Sequence, residues 1–211
     1  MAISDLRRDF SGDTLSESNT PSEPISLFAK WWSEATDKNL KDINNCALAT
    51  SSLAGTPSVR MVLLKGWSDL GFEFYTNYES PKARDLLENP KAELLIWWAD
   101  LARQIRISGT VGKVTKEQSE AYFHSRPRES QLGALASRQS QILDSKETLI
   151  QKVEFLNKTY NNQEVPLPAN WGGFILNPSK FEYWQGQPSR LHDRIVYEKM
   201  AQEWKKFQVF P

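Results

Sequence analysis

Short strand-like runs dominate the chain, and no regular strand–helix–strand alternation links them. The runs are "CALATSS", "SVRMVLLKG", "FEFYTN", "AELLIWW", "RQIRISGTVGKV", "GGFIL", "FEYWQ", "RLHDRIVYE" and "EWKKFQVF". They are rich in β-branched and aromatic residues. Turn-like connectors such as "LAGTP" and "WSDLG", an Asn-Pro and a Gly-Gln-Pro separate them. This pattern predicts a mainly β fold, an antiparallel barrel of Greek-key type with helices at its periphery.

The helices are marked by caps and period. Ser22 is the expected N-cap of a first helix with Pro24 in its first turn, and Ile25, Phe28, Trp32 and Ala35 recur at helical spacing. Ser80 caps a second, Pro81 suits its first position, and Asn89-Pro90 ends it. Thr115 and Gln118 have capping-box spacing. Pro127 disfavours helix at Arg126 and starts a new one. Asp144 and Glu147 repeat the capping-box spacing before an amphipathic face of Leu149, Val153, Leu156 and Tyr160.

At 211 residues the chain is long enough for one domain with a sizeable core, expected over residues 23–211. Residues 1–22 are polar and are expected to form a mobile tail, except that Arg7, Arg8 and Phe10 of "DLRRDF" can fold onto something. The 26 basic and 26 acidic residues balance, which argues against broad binding to nucleic acid or membrane. Any anion site must be local. Cys46 is the single cysteine, so no intrachain disulfide framework exists, and its apolar run marks it as a buried core residue. There is no targeting pattern and no apolar run of bilayer length, so a soluble cytoplasmic protein is expected. One cysteine and two distant histidines are too few for a metal cluster. No glycine-rich phosphate loop or nucleophile elbow is present.

Four stretches carry charge in a pattern. In "FYTNYESPKARDLL" a strand runs into a helix start, where amide groups and Ser80, Lys82 and Thr76 can meet an anion; the alternative is an ordinary cap and a surface lysine. In "SVRMVLLKG" Arg60 and Lys65 stand at odd separation, so a regular strand sends them to opposite faces unless a bulge intervenes. In "AYFHSRPRESQLGAL" Tyr122 and Arg126 share a helix face, and Ser130 falls in the first turn of the next helix. A phenol, a guanidinium and a hydroxyl there suit a phosphate. His124 lies off that face and is read as structural. In "RLHDR", taken as a strand, Arg190, His192 and Arg194 share one face, an anion-attracting wall around a neutral imidazole; the alternative is a solvated polar face.

The segments "RMVLLK", "FYTN", "SPKARDL", "RQIRISG", "YFHSRPRESQLGALASRQS", "VPLPANWGGF" and "FEYWQGQPSRLHDR" together resemble the pyridoxine (pyridoxamine) 5'-phosphate oxidase family over nearly the whole chain. The resemblance implies a split β-barrel homodimer with FMN at the subunit interface. It implies oxidation of pyridoxine or pyridoxamine 5'-phosphate to pyridoxal 5'-phosphate, with O2 as acceptor and H2O2 as product. By position, Arg60, Met61, Val62, Leu63, Leu64, Lys65, Tyr75, Thr76, Lys82, Gln104, Gln139, Ser140, Trp184 and Arg194 match its FMN contacts. Lys65, Tyr122, Arg126 and Ser130 match the contacts to the substrate phosphate. Arg190 and His192 match the catalytic residues over the substrate ring.

Three departures stand out. Pro81 replaces a usual arginine, which predicts weaker FMN retention. Gln208 lies where the carboxy-terminal motif usually has arginine, and Phe10 where a tyrosine is usual. Two other readings fit the same class: a split-barrel flavoprotein with another substrate, and a non-catalytic carrier of FMN or pyridoxal phosphate. The paired Tyr122-Arg126-Ser130 and Arg190-His192 sets argue against the first, and the otherwise intact matched positions against the second.

Overall fold

The computed structural model describes residues 2–6 and 9–211; Arg7 and Arg8 of the amino-terminal motif lie outside the described residues. Five α-helices are described, α1 (Pro24–Asp37), α2 (Pro81–Glu88), α3 (Lys116–Ser125), α4 (Arg128–Ala136) and α5 (Lys146–Thr159). The strands are β1 (Asn45–Ser51), β2 (Pro57–Leu63), β3 (Gly66–Ser68), β4 (Gly71–Asn77), β5 (Lys91–Trp98), β6 (Arg103–Lys113), β7 (Trp171–Gln185), β8 (Asp193–Met200) and β9 (Glu203–Gln208). They join in one sheet in the order β2-β1-β5-β6-β7-β4-β3, with β8 on β7 and β9 on β8. Every pairing is antiparallel.

β7 organises the barrel. β6 runs along nearly all of it, whereas its other edge is divided: Trp171–Leu176 pairs with β4 and Lys180–Gln185 with β8. One strand therefore carries two different neighbours, and the sheet splits where they part. The Asn-Pro of this segment suggests a turn between two strands, but the chain continues as one strand through a register shift opposite Gly109. Proline lacks a ladder donor and is tolerated in a sheet at such an irregularity. Gly109 is required there: a Cβ would stand 2.0 Å from the Asn177 carbonyl oxygen.

The core fills the barrel with Leu48, Phe72, Phe74, Leu94, Ile107 and Phe181, all essentially inaccessible. α1 closes it with Leu27, Phe28, Trp31 and Ala35; Ile25 and Trp32 sit at the margin rather than inside. The cap of α1 is Glu23, not Ser22, because Pro24 is the first helical residue and holds its predecessor extended. The Thr115–Gln118 capping box forms with 3.1 and 3.0 Å bonds. At α5 the cap is Ser145, whose hydroxyl accepts the Thr148 amide, rather than Asp144: the helix begins at Lys146, so Ser145 is the residue within reach. Cys46 is buried on β1, and burial pushes its thiol up to about 12.

The amino-terminal segment lies against this frame. Leu15 and Thr20 are buried. The Tyr197 hydroxyl donates to Pro21 O (2.8 Å), and Lys206 Nζ donates to Glu17 O and Thr20 O (2.6 and 2.8 Å).

Candidate active site

A cavity of about 490 Å3 opens where the ends of β2 and β4, the start of α2 and the α3–α4 turn converge. Met61, Val62, Leu63, Lys65, Tyr75, Thr76, Lys82, Tyr122, Arg126, Ser130 and Gln139 line it. Two parts of the sequence that looked like separate anion sites thus share one chamber. β2 ends at Leu63, so the parity argument for Arg60 and Lys65 does not apply across the whole run. Lys65 reaches the cavity. Arg60 does not line it: its Nη1 donates to Leu48 O (3.0 Å) and Thr50 Oγ1 (2.8 Å), beside Asp85 at 3.9 Å. Leu64 is a core residue and Ser140 is exposed, and neither lines the chamber.

One end of the cavity is built around Lys82. Its ammonium contacts only neutral oxygens, Thr76 Oγ1 (3.1 Å), Ser80 Oγ (3.4 Å) and Gln139 Oε1 (3.5 Å). Burial, and then the nearby Arg60 charge, hold Lys82 below the ordinary lysine value. Ser80 does not cap α2 through its side chain; its buried hydroxyl donates to Asn77 O (2.7 Å) and so turns its lone pairs towards Lys82.

The other end is built around Arg126. Its guanidinium lies over the Trp171 ring at 4.8 Å, and burial lowers its pKa. Arg126 Nη1 is buried with no hydrogen-bond partner. A buried donor without a partner is costly, and a cation more so. Ser130 stands near the start of α4, where backbone amides also favour an anion. Between the two ends, Tyr75 stacks on Tyr122 at 3.9 Å and on Trp171 at 5.7 Å. Gly173 admits this stack, since a Cβ there would stand 2.6 Å from the Tyr75 ring. Trp171 is a cavity residue to which sequence reasoning gave no role; its signal is the Gly172-Gly173 pair beside it, opposite Tyr75 in the β4–β7 ladder. Three cations thus line the chamber, Lys65, Lys82 and Arg126, none with a carboxylate partner among the described residues.

The remaining predicted residues form a second group. Gln104, Trp184 and Arg194 stand side by side in register on β6, β7 and β8. They do not line the cavity, and neither do Arg190 and His192. Nearly the whole of β7 separates Trp171 from Trp184, roughly 40 Å along the strand. Arg190, His192 and Arg194 do not share a strand face, contrary to the alternating pattern. β8 begins only at Asp193. Arg190 ends a short 3-10 turn in which Ser189 and Arg190 take φ of 56° and 62°. The cause lies in Pro188 and the turn it starts, which leave no room for a ladder until Asp193 pairs with Gln185.

The group is internally bonded. Arg194 Nε and Nη2 donate to Glu182 Oε1 (3.0 and 2.9 Å), and its Nη1 to Phe210 O (2.9 Å). The Gln187 amide donates to His192 Nδ1 (3.1 Å). His192 packs at 4.6 Å from the Trp184 ring. Phe10 meets Trp184 and His192 edge-on at 5.5 and 5.8 Å. His124, read as structural, faces Glu164 at 3.5 Å and borders a different cavity.

An antiparallel barrel split along one strand, with a cation-lined chamber beside its edge, defines a protein of the split-barrel class. The comparisons place it more narrowly. A family described as pyridoxamine 5'-phosphate oxidase matches residues 33–159, and one described as the pyridoxine 5'-phosphate oxidase C-terminal dimerisation region matches residues 171–211. A pyridoxine/pyridoxamine 5'-phosphate oxidase of Acaryochloris marina is 48% identical over 203 residues, covering 96% of this chain and 93% of that protein. One from a Nostoc species is 49% identical over 195 residues, 92% of this chain and 91% of that protein. The crystal structure of PhzG from Burkholderia lata, in complex with tetrahydrophenazine-1-carboxylic acid, superposes with a TM-score of 0.90 at 30% identity, covering 95% of this chain and all of that one. The chain belongs to the pyridoxine/pyridoxamine 5'-phosphate oxidase family. Among its described residues, no helix is long and apolar enough to cross a membrane.

Proposed function

We propose that the protein is an FMN-dependent oxidase converting pyridoxine 5'-phosphate or pyridoxamine 5'-phosphate to pyridoxal 5'-phosphate. The alcohol and O2 give aldehyde and H2O2; the amine also takes up water and releases ammonia. The observation that carries this reading is that Lys82 and Arg126, with Lys65, line one cavity without a carboxylate partner among the described residues. Lys82, with Thr76, Ser80 and Gln139, would hold the flavin phosphate. Arg126, with Tyr122, Ser130 and Lys65, would hold the substrate phosphate. FMN held by those residues would supply the acceptor for a hydride from the substrate's C4' carbon and the route for its electrons to O2. The residues of this chain bind and aim. Anchoring the phosphate at the far end from C4' fixes the distance and angle of approach, and the stacked rings of Tyr75, Tyr122 and Trp171 line the chamber between its ends.

Arg190 and His192 act on the substrate ring in this reading, with Gln104, Trp184 and Arg194 against the flavin. Within one protomer they lie at the wrong end of β7, so a second copy must bring them to the cavity. Two observations support a homodimer. The family's dimerisation region matches the segment containing Trp184, Arg190, His192 and Arg194. β2 is an edge strand whose Val59, Met61 and Leu63 stay 69%, 65% and 46% exposed, and Met61 and Leu63 also line the cavity. Such an apolar strip beside a binding chamber is what a partner subunit covers.

The test is aerobic turnover of pyridoxamine 5'-phosphate by the purified protein with added FMN, following the aldehyde. Arg190→Ala/His192→Ala is assayed in parallel. Activity that needs FMN and collapses in the double variant is the expected result. FMN binding without turnover would overturn the oxidase and leave a carrier or a flavoprotein with another substrate.

A further inference from the structure

The turn before β8 holds His192 through a set of hydrogen bonds that the reaction does not itself require. The backbone N–H of Gln187 donates to His192 Nδ1 (3.1 Å). The side-chain amide of the same Gln187 donates to Asp193 Oδ2 (2.8 Å) and to Asp13 O (3.0 Å). That Asp193 oxygen also accepts the backbone N–H of Leu15 (3.0 Å), a buried residue of the amino-terminal segment. Asp193 thus gathers the turn and the amino-terminal segment at a single atom. Five residues before Leu15, Phe10 lies edge-on to His192 and against Gly186.

This arrangement has a chemical consequence. A nitrogen that accepts a backbone N–H carries no proton, so the neutral imidazole of His192 holds its proton on Nε2. Its free nitrogen is then a hydrogen-bond donor. The arrangement has a conformational consequence too. Ser189 and Arg190 both take left-handed φ, which persists only where the surroundings determine it. The bonds of Gln187 supply that constraint on one side, and the Gln185–Asp193 register supplies it on the other.

We propose that Asp193 and Gln187 are positioning residues: they fasten the amino-terminal segment to the His192 turn and hold His192 as an Nε2–H donor facing the substrate. This rests on the reading of His192 as a substrate-facing group. Asp193 and Gln187 touch neither substrate nor flavin in this scheme. They act through the orientation and tautomer of His192, and through the seating of Phe10 over it.

The chain has two histidines, so long-range imidazole nitrogen–proton correlations on labelled full-length protein with FMN report His192 against one internal reference, His124. Wild type is expected to show His192 as the Nε2–H tautomer. Asp193→Ala and Gln187→Ala are expected to populate both tautomers and to speed protease cleavage between Phe10 and Leu15. Their kcat/KM falls by up to about a hundredfold, as for a misplaced reacting geometry. Asp193→Asn keeps an oxygen that can accept both bonds, and is expected to restore tautomer, protection and most of the activity. Both alanine variants with the wild-type tautomer would overturn the proposal, even if cleavage quickened. If Asp193→Ala fails to fold, Gln187→Ala decides alone, because it leaves the Asp193 bond to Leu15 in place. Tautomer shifts in the variants, with no wild-type turnover, would sink the oxidase reading and leave the fastening intact.

Discussion

At the Trp171 end of β7 Lys82 and Arg126 lack counter-charges, whereas at the Gln185 end Arg194 is paired within the chain. Lys82 touches only neutral oxygens, and Arg126 has a buried nitrogen with nothing to bond. Arg194 has Glu182 and a carbonyl, and Glu182 is shared with Arg106 at 3.3 Å. Both groups belong to the same proposed site, so the difference is instructive. The first end, in the proposed function, is a receptor whose electrostatic cost bound phosphates would relieve. At the second, Arg194, Glu182 and Arg106 are already bonded to one another without a ligand.

Glu182→Leu breaks this bonding and carries the largest expected effect. Glu182 is 9% exposed, but its arginine partners are 28% and 40% exposed, so water recovers part of the loss. Unfolding free energy should fall by about 2–3 kcal/mol, with or without FMN. An unchanged denaturation midpoint would mean the pairing at this end contributes nothing. Arg126→Met probes the receptor and should behave in the opposite way. KM for the phosphorylated substrate should rise about 10- to 100-fold, while the ligand-free protein loses no stability, since an unpartnered buried donor has been removed. A melting loss like that of Glu182→Leu would erase the distinction between the two ends.

The smallest effects concern the flavin phosphate. Pro81 is an exposed first residue of α2, and Pro81→Arg should tighten FMN several-fold, at most about tenfold. The pH dependence should track Lys82, whose charged form is disfavoured in the ligand-free fold by burial and by Arg60. That penalty acts below its folded pKa and fades as pH rises towards the ordinary lysine value. Bound phosphate favours the charged form, so binding takes up a proton in that alkaline window and affinity falls as pH rises through it. Isothermal titration in buffers of different ionisation heat measures the uptake; none between the two values would exclude Lys82 as the phosphate cation.

The two ends also differ in how far they were legible beforehand. Tyr122, Arg126 and Ser130 lie within nine positions, and helix geometry with Pro127 was enough to bring them together. The start of α2, with Thr76, Ser80 and Lys82, was equally local. At the Gln185 end a local pattern misled: Arg190, His192 and Arg194 alternate as in a strand, but Pro188 starts a turn that delays β8 to Asp193. The unbroken β7 was missed for a similar reason, because its Asn-Pro is harmless only opposite Gly109, on a strand far away in the chain. The amino-terminal segment looked like a polar tail because Leu15 is the one deeply buried apolar side chain among its described residues; what holds it is bonds to Asp193, Tyr197 and Lys206 from the other end of the chain.

Read alone, the sequence determined the β character, the positions of the helices and the cationic and hydroxyl groups that line the cavity. Those depend on periodicity, caps and residue chemistry over a few neighbouring positions. Only the tertiary structure decided that Lys82 and Arg126 share a chamber while Trp184 and His192 stand away from it. Register sets that, and register is a long-range property: the pairings of Gln104 with Trp184 and of Trp184 with Arg194 require the whole barrel to close.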